Sequence, residues 1–241
     1  MDPHPRTVAV IQARMTSTRL PGKSLLDLGG KPLVQRVVER VRRTASLDEV
    51  WVATSDNRFD DLIELAVRKI GAPVFRGSLE DVLDRFRQAA RAAGAEIIVR
   101  VTADNPLTDP RLIDLGVEAI VREGADYLRL TNMPYWTGAE IFTAAALERA
   151  WSSTRDPYHR EHVCPYFTAK DAGFKTYFLE NPIPGTQRPD IRLTLDTMDD
   201  YYIFYRIYHE FGDRDDIPVE EVIAFLESSG LPLGKAPVLG V

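Results

Sequence analysis

The sequence predicts an α/β fold: an open, mostly parallel sheet with helices on both faces. Residues 7–13 form a nearly continuous apolar run, the pattern of a strand that is buried on both faces of a parallel sheet. Short apolar strands then alternate with helices of about ten to fifteen residues, which is typical of βαβ units. This rhythm changes after Asn132, and the change predicts a smaller β/α elaboration in the second half.

The first half shows the strand and helix signals in order. Pro32 can open the helix after the first strand, because proline suits the first helical turn. Valines recur on one face of this helix at positions 34, 37, 38 and 41. Further strands are predicted at 49–55, 72–75, 96–101 and 126–131, and further helices over 58–71, from a cap at Ser78, and from the Asp109-Pro110 pair.

The second half is less regular. The pattern predicts an aromatic loop over 132–140 and a helical stretch over 141–171 that is broken at Pro157. It then predicts two strands, at 173–179 and 191–195, and two closing helices, at 198–211 and 218–228. Asp199 and Asp200 are expected to cap the first closing helix. We expect a single domain over 1–241, with a nucleotide-binding half at 7–131, an acceptor and dimerisation elaboration at 132–190 and closing elements at 191–228.

Composition excludes several classes of protein. The chain has 241 residues, of which 44% are hydrophobic and 27% charged, which fits one large globular domain. A net charge of -6 argues against a protein that coats nucleic acid or anionic membrane. The single cysteine, Cys164, excludes an internal disulfide and predicts a small packed residue. No apolar run reaches the ~20 residues of a membrane helix, and MDPHPRTV has no signal-like apolar segment, so we expect a cytoplasmic location.

A basic loop follows the first strand, at the edge where ligands bind in open α/β sheets. It carries Arg14, Arg19 and Lys23, with hydroxyl residues and Gly22 between them. Guanidinium groups pair with phosphate oxygens in forked geometry, so the loop suits a polyphosphate, although a solvated charged loop is the alternative. The required earlier glycine of a Walker loop is Ser17 here, and no G-x-G-x-x-G follows the strand, which disfavours ATPase and NAD-binding functions.

Two aspartates follow other predicted strands. Asp104 lies in the loop after residues 96–101, and Asp196 directly follows Leu195. Mg²⁺ usually takes one or two carboxylates and completes its shell with phosphate and water, so both are candidate ligands, although Asp104 could instead organise its turn. His159 and His162 have metal-pair spacing, but the sequence offers no clear third ligand for zinc.

The segment IQARMTSTRLPGK resembles the N-terminal signature of the cytidylyltransferases that activate acidic sugars such as ketodeoxyoctonate and acylneuraminate. VATSDN, GSLEDVLDRFRQAA, VRVTADNPLTDP, REHVCPYF and IRLTLDTMDDY follow in the order and spacing of the spore-coat polysaccharide branch, over about residues 7–210. The resemblance implies a Rossmann-like nucleotide-diphospho-sugar transferase fold, CTP as the donor, Mg²⁺ as the cofactor and a homodimer.

The resemblance also implies roles for individual residues. Catalytic roles fall to Lys23, Arg14 and Asp104, and metal binding to Asp104 and Asp196. Nucleotide contacts are implied for Ala13, Arg14, Ser17, Arg19, Gly22, Lys23, Asp84, Arg85 and Thr102, and acceptor contacts for Glu140, Arg160 and His162. The chain departs from the family pattern at three positions: Thr102 replaces Gln, Ala103 replaces Gly and Met198 replaces Pro. Because of these departures, the family's contacts to the base and its ketodeoxyoctonate acceptor do not carry over directly to this chain.

The implied reaction transfers CMP from CTP to a small acidic acceptor and releases pyrophosphate, as in the synthesis of a surface polysaccharide or glycoconjugate. Metal ions and fixed cations would manage the charge that develops in such a displacement. Two alternatives stay open at this point: a glycosyltransferase that uses a preformed nucleotide sugar, and a non-catalytic homologue that binds nucleotide and acts through dimerisation.

Overall fold

The computed structural model describes residues 4–212 and 214–231. Nine strands are found in this part of the chain: β1 (Thr7–Gln12), β2 (Asp27–Leu28), β3 (Lys31–Pro32), β4 (Glu49–Ser55), β5 (Val74–Gly77), β6 (Ile97–Thr102), β7 (Tyr127–Thr131), β8 (Glu140–Thr143) and β9 (Thr176–Glu180). Seven of them form one sheet in the order β5-β4-β1-β6-β8-β7-β9, and β2 and β3 form a separate hairpin.

The large sheet is mostly parallel, which confirms the predicted fold class. β1 lies between β4 and β6 and pairs with both in parallel. β5 extends the sheet beside β4, and β9 pairs in parallel with β7. β8 runs antiparallel to both of its neighbours, β6 and β7. The carboxyl ends of β1, β4 and β6 therefore lie at one edge of the sheet.

The helices in the described ranges are α1 (Leu33–Val41), α2 (Asp61–Lys69), α3 (Val82–Ala93), α4 (Pro110–Glu123), α5 (Ala144–Ser153), α6 (Pro157–His162), α7 (Met198–Phe211) and α8 (Val219–Ser229). They cover both faces of the sheet. Ala9 and Ile11 of β1 face one apolar cluster, whereas Val8 and Val10 face another. Because alternate residues of a strand point to opposite faces, this double burial explains the nearly continuous apolar run.

Two predictions for the second half are wrong. The stretch 141–171 was expected to be helical, but it begins inside β8, which pairs on both sides and is followed by α5. Four residues are too few for a strand period to stand out from the helical pattern beside them. Residues 191–195 were expected to form a strand, but the only pairing found there within the described ranges is an isolated bridge between Tyr135 and Arg192.

The expected cap of α3 is also corrected. Asp81 is the N-cap, and its side chain accepts a hydrogen bond from the backbone N–H of Asp84. The Ser78 hydroxyl instead accepts from the backbone N–H of Asp81 at 3.0 Å, so it stabilises the turn before the helix. An aspartate three residues later outcompetes the serine, since both residue types cap well and only geometry decides between them.

Strands from both predicted halves join the one large sheet. The predicted single domain over 1–241 also includes residues 1–3, 213 and 232–241, which lie outside the described residues. Within residues 4–212 and 214–231, no helix combines the length and the apolar character needed to cross a membrane.

Candidate active site

A polar pocket lies at the carboxyl edge of the sheet, where β1 and β6 end side by side at Gln12 and Thr102. Its walls come from the loop after β1, the loop after β6 and the segment before α7. The lining residues are Gln12, Ala13, Arg14, Ser17, Thr18, Arg19, Lys23, Ser24, Thr102, Ala103, Asp104 and Asp196. The structure thus brings together the basic loop and both candidate metal ligands.

The basic loop is folded back on itself by a glycine turn. Gly22 has φ 77°, in the left-handed region that favours glycine, and its N–H donates to the carbonyl of Met15 at 2.8 Å. The Ser24 hydroxyl donates to the carbonyl of Arg14 at 3.1 Å. These bonds join the two ends of the loop, and they direct the side chain of Lys23 into the pocket.

Lys23 lies between the two candidate metal ligands. Its ammonium Nζ is 2.6 Å from Asp104 Oδ2 and 2.8 Å from Asp196 Oδ1, and it also donates to the carbonyl of Leu195 at 2.9 Å. The Lys23 side chain is 11% exposed, so these charge-assisted bonds lie largely out of solvent. One cation therefore connects the loop after β1 with two acidic loops.

Asp196 is surrounded by positive charge. Besides Lys23, it pairs with Arg19 at 2.7 Å and with Arg192 at 2.6 Å. Burial by itself would raise the pKa of Asp196, but the hydrogen bond from Lys23 and the cationic neighbours outweigh burial and lower this pKa. The carboxylate is therefore charged over the whole neutral range.

Asp200 holds Asp196 in place. Its Oδ2 accepts from the backbone N–H groups of Asp196 and Thr197, at 2.9 and 2.8 Å. Arg192 donates to both carboxylates, so the two aspartates share one guanidinium. Thr197 and Asp200 also form a capping box at the start of α7, which confirms the predicted capping role of Asp200.

Asp104 is oriented by its own loop. The Thr102 hydroxyl donates to Asp104 Oδ1 at 2.5 Å, and the Asn105 amide in turn donates to the Thr102 hydroxyl at 2.7 Å. The opposite carboxylate oxygen faces Lys23. Thr102 therefore orients the Asp104 carboxylate and also lines the pocket.

The donor set of the pocket fits Mg²⁺. The carboxylates of Asp104 and Asp196 converge closely enough to contact the same ammonium group. Mg²⁺ typically takes one or two protein carboxylates together with phosphate and water, which matches this pair.

Among the described residues, no group of three or more His, Cys, Asp or Glu side chains could hold a metal ion. His159 lies near the Thr154 hydroxyl, and the His162 ring packs on Tyr158.

Arg85 lies buried beside the pocket and does not line it. Its Nη1 donates to the carbonyl of Ser78 at 2.5 Å, whereas its Nε and Nη2 have no hydrogen-bond partner in the described part of the chain. Burial, together with repulsion from Arg14, lowers the pKa of Arg85 to about 10. Asp84 is turned toward the surface of α3, where it pairs with Arg87 and Gln88.

The three predicted acceptor residues do not line this pocket. The Glu140 side chain is 12% exposed, and its two oxygens accept from Arg100 at 2.5 Å and from the Tyr127 hydroxyl at 2.7 Å. Arg160 lies 3.3 Å from Asp81 and packs near Trp151, and His162 lies on the same short helix, α6. Their acceptor contacts stay predictions.

Sequence reasoning missed Asp60, which supports the basic loop from below. Asp60 is fully buried and accepts from the backbone N–H of Met15 at 2.7 Å, from the N–H of Ser55 at 3.1 Å and from the Ser55 hydroxyl. It therefore ties the loop after β1 to the end of β4. An acidic residue at a helix start resembles an ordinary cap in sequence, and no local signal distinguishes it.

A cationic loop at the carboxyl edge of a mostly parallel sheet, with two carboxylates beside it, is typical of α/β proteins that bind nucleotides. A family model described as cytidylyltransferase matches residues 8–225. The chain belongs to the cytidylyltransferase family, and it is accordingly a CTP-dependent nucleotidyltransferase.

Individual relatives agree with this family. The chain is 39% identical over 222 residues to the spore coat polysaccharide biosynthesis protein SpsF of Bacillus subtilis, which covers 90% of this chain and 92% of that protein. It is 44% identical over 119 residues to the 3-deoxy-manno-octulosonate cytidylyltransferase of Geobacter sulfurreducens, covering 48% and 46% of the two chains. A solved cytidylyltransferase structure from Leptospira borgpetersenii is similar over 94% of this chain and 95% of that chain, with TM-score 0.86 and 32% identity.

Proposed function

We propose that the protein transfers CMP from CTP to a small acidic acceptor in a Mg²⁺-dependent reaction that releases pyrophosphate, as a step in the synthesis of a surface polysaccharide or glycoconjugate. The contact of Lys23 with both Asp104 and Asp196 carries this proposal, because it unites a phosphate-binding cation with two candidate metal ligands. The names of SpsF and of the octulosonate cytidylyltransferase support the choice of pathway and of an acidic acceptor.

The basic loop supplies the contacts to the triphosphate. Arg14 lines the pocket and forms no ion pair within the described ranges, so its guanidinium is available for phosphate oxygens. Arg19 is 62% exposed at the pocket entrance, where it can follow the ligand. Ser17 adds a hydroxyl, and the turn at Gly22 keeps the loop compact around the charge. Forked and compact cations together suit a chain of phosphates.

Asp104 and Asp196 would hold the metal ion. When bound, Mg²⁺ would neutralise charge on the phosphate oxygens and on the leaving pyrophosphate. Lys23 lies within the same group of residues and adds its positive charge there, while Arg192 and Asp200 keep Asp196 charged and in place. These fixed charges favour the transition state of phosphoryl displacement without reorganisation at the moment of reaction.

The identity of the acceptor is the open part of the proposal. Arg160, His162 and Glu140 are kept as predicted acceptor contacts, although Glu140 uses both oxygens within the protein. We further propose that the protein acts as a homodimer in the cytoplasm, which light scattering of the purified protein and fractionation of cells would check.

The proposed reaction is tested by a screen for pyrophosphate release. CTP, with ATP, GTP and UTP as controls, is mixed with ketodeoxyoctonate, N-acetylneuraminate, acidic amino sugars and small phosphonate acids, with and without Mg²⁺. The expected result is Mg²⁺-dependent release from CTP with at least one acceptor. Sugar transfer from a preformed nucleotide sugar without pyrophosphate would instead indicate a glycosyltransferase.

A further inference from the structure

Gln12 is the last residue of β1, and its side chain reaches into the pocket. Its Oε1 accepts a hydrogen bond from Arg100 Nη2 at 3.3 Å. Within the described residues, its Nε2 donates to no protein group. Gln12 pairs in register with Thr102, and Arg100 lies two residues earlier on β6, so the Gln12 and Arg100 side chains share one face of the sheet.

Arg100 determines which way the Gln12 amide points. A guanidinium group only donates hydrogen bonds, so the amide oxygen must face it, and the NH₂ group then points away from Arg100. Arg100 is itself fixed, because its side chain is 9% exposed and pairs with the carboxylate of Glu140, whose side chain is 12% exposed. The Tyr127 hydroxyl holds that carboxylate from the other side at 2.7 Å. The pocket therefore contains an oriented neutral donor.

The charge distribution indicates what this donor recognises. The cations that line the pocket, Arg14, Arg19 and Lys23, suit charged partners such as phosphate or carboxylate oxygens. A neutral NH₂ group better suits an uncharged acceptor, such as a carbonyl oxygen or an unprotonated ring nitrogen. Cytosine offers both at adjacent positions, O2 and N3, whereas uracil carries a hydrogen on N3.

We propose that Gln12 recognises the base: its Nε2 donates to the O2 and N3 edge of cytosine, and the Arg100–Glu140 pair orients it. This inference rests on the proposed use of CTP. It assigns to Gln12 part of the preference for CTP over UTP, because uracil keeps O2 but carries an N3–H donor in place of the N3 acceptor, so the NH₂ group would face a second donor there.

The test compares the binding of CTP and of UTP by calorimetry, with Mg²⁺ present and no acceptor. Gln12→Met keeps the length of the side chain and removes the donor. Gln12→Glu still accepts from Arg100 and offers no NH₂ group. Gln35→Met is the matched control, because Gln35 lies on α1 and bonds to Glu39 outside the pocket.

We expect both Gln12 variants to lose roughly tenfold in affinity for CTP and much less for UTP, while Gln35→Met behaves as wild type. Glu140→Gln should also lower the ratio of the affinity for CTP to the affinity for UTP. Tyr127→Phe is used instead if Glu140→Gln does not fold. An unchanged ratio in folded Gln12→Met would overturn the inference, whereas wild-type protein that binds neither nucleotide would overturn the proposed function itself.

Discussion

Lys23 Nζ lies 2.6 Å from Asp104 Oδ2, across 81 positions of sequence. The same ammonium bridges to Asp196, 173 positions away, so it joins three loops at one edge of the sheet. Each carboxylate gains a buried cationic partner, and the lysine gains two anions that balance its charge. This contact makes the basic loop and the candidate metal ligands parts of one site.

Lys23→Ala should weaken CTP binding by about ten- to a hundredfold, because charge-assisted hydrogen bonds to phosphate are lost. The loss should be smaller for CMP, which lacks the β- and γ-phosphates. In the same variant, Mn²⁺ used as a probe should bind more tightly without nucleotide, since Asp104 and Asp196 no longer share their charge with an ammonium. Equal losses for CTP and CMP would place Lys23 away from the triphosphate. Lys69→Ala, at an exposed position of α2, is the control for both measurements.

Asp104→Asn should reduce Mg²⁺-dependent turnover by at least about a hundredfold while the melting temperature stays close to that of wild type. The amide keeps the volume of the carboxylate, and Lys23 keeps its bond to Asp196, so the fold has little reason to change. Pyrophosphate release at saturating CTP measures the effect. Asp199→Asn provides the control, since Asp199 is exposed on α7. Full activity of Asp104→Asn at saturating Mg²⁺ would remove Asp104 from the site.

Asp60→Ala should destabilise the protein by about 1–3 kcal/mol, because it leaves a part-buried donor of Met15 and a buried donor of Ser55 without partners. The basic loop should also become looser, which raises the apparent KM for CTP. Urea unfolding and steady-state kinetics measure the two effects, and Asp56→Ala, at an exposed neighbouring position, serves as the control. Wild-type stability in Asp60→Ala would show that these bonds contribute nothing to the fold.

The stability of the protein should fall in acid partly through Asp200. Burial alone would raise the pKa of Asp200, but Arg192 and the backbone donors of the capping box lower this pKa below the ordinary range of an aspartate. A carboxyl group with a lowered folded-state pKa stabilises the fold above its unfolded pKa, and this contribution is lost as the pH falls through the folded value. Below about pH 4, the free energy of unfolding of Asp200→Asn should therefore fall less steeply with decreasing pH than that of wild type. Urea titrations at several pH values measure this dependence. Asp199→Asn should keep the wild-type slope, and an equally flat slope in both variants would contradict the role of Asp200.

The regular half of the fold could be predicted from sequence because its strands are buried on both faces and its helices have clear apolar faces. β8 could not, since Glu140–Thr143 is too short to show a period and gains its identity only by pairing with two other strands. The strand expected at 191–195 has the right composition, but tertiary contacts place that segment outside the large sheet. Pairing partners distant in sequence decide both cases.

The candidate site was predictable where residue type alone carries the chemistry. Arg14, Lys23, Asp104 and Asp196 are charged groups at predicted strand ends, and the structure brings all four to one pocket. The contacts of Asp60 and Gln12 were not predictable, because each depends on partners more than forty residues away, Met15 in one case and Arg100 in the other. A local pattern carries no information about such partners.

The transfer of the α-phosphoryl group is the most direct test of the proposed function. CTP labelled with ³²P at either the α or the γ position is incubated with Mg²⁺ and an acceptor that supports pyrophosphate release. The proposed reaction predicts that the α label appears in the acceptor product and the γ label in pyrophosphate, and that Asp104→Asn abolishes both. The γ label in the acceptor product, or a product without label from either position, would contradict it.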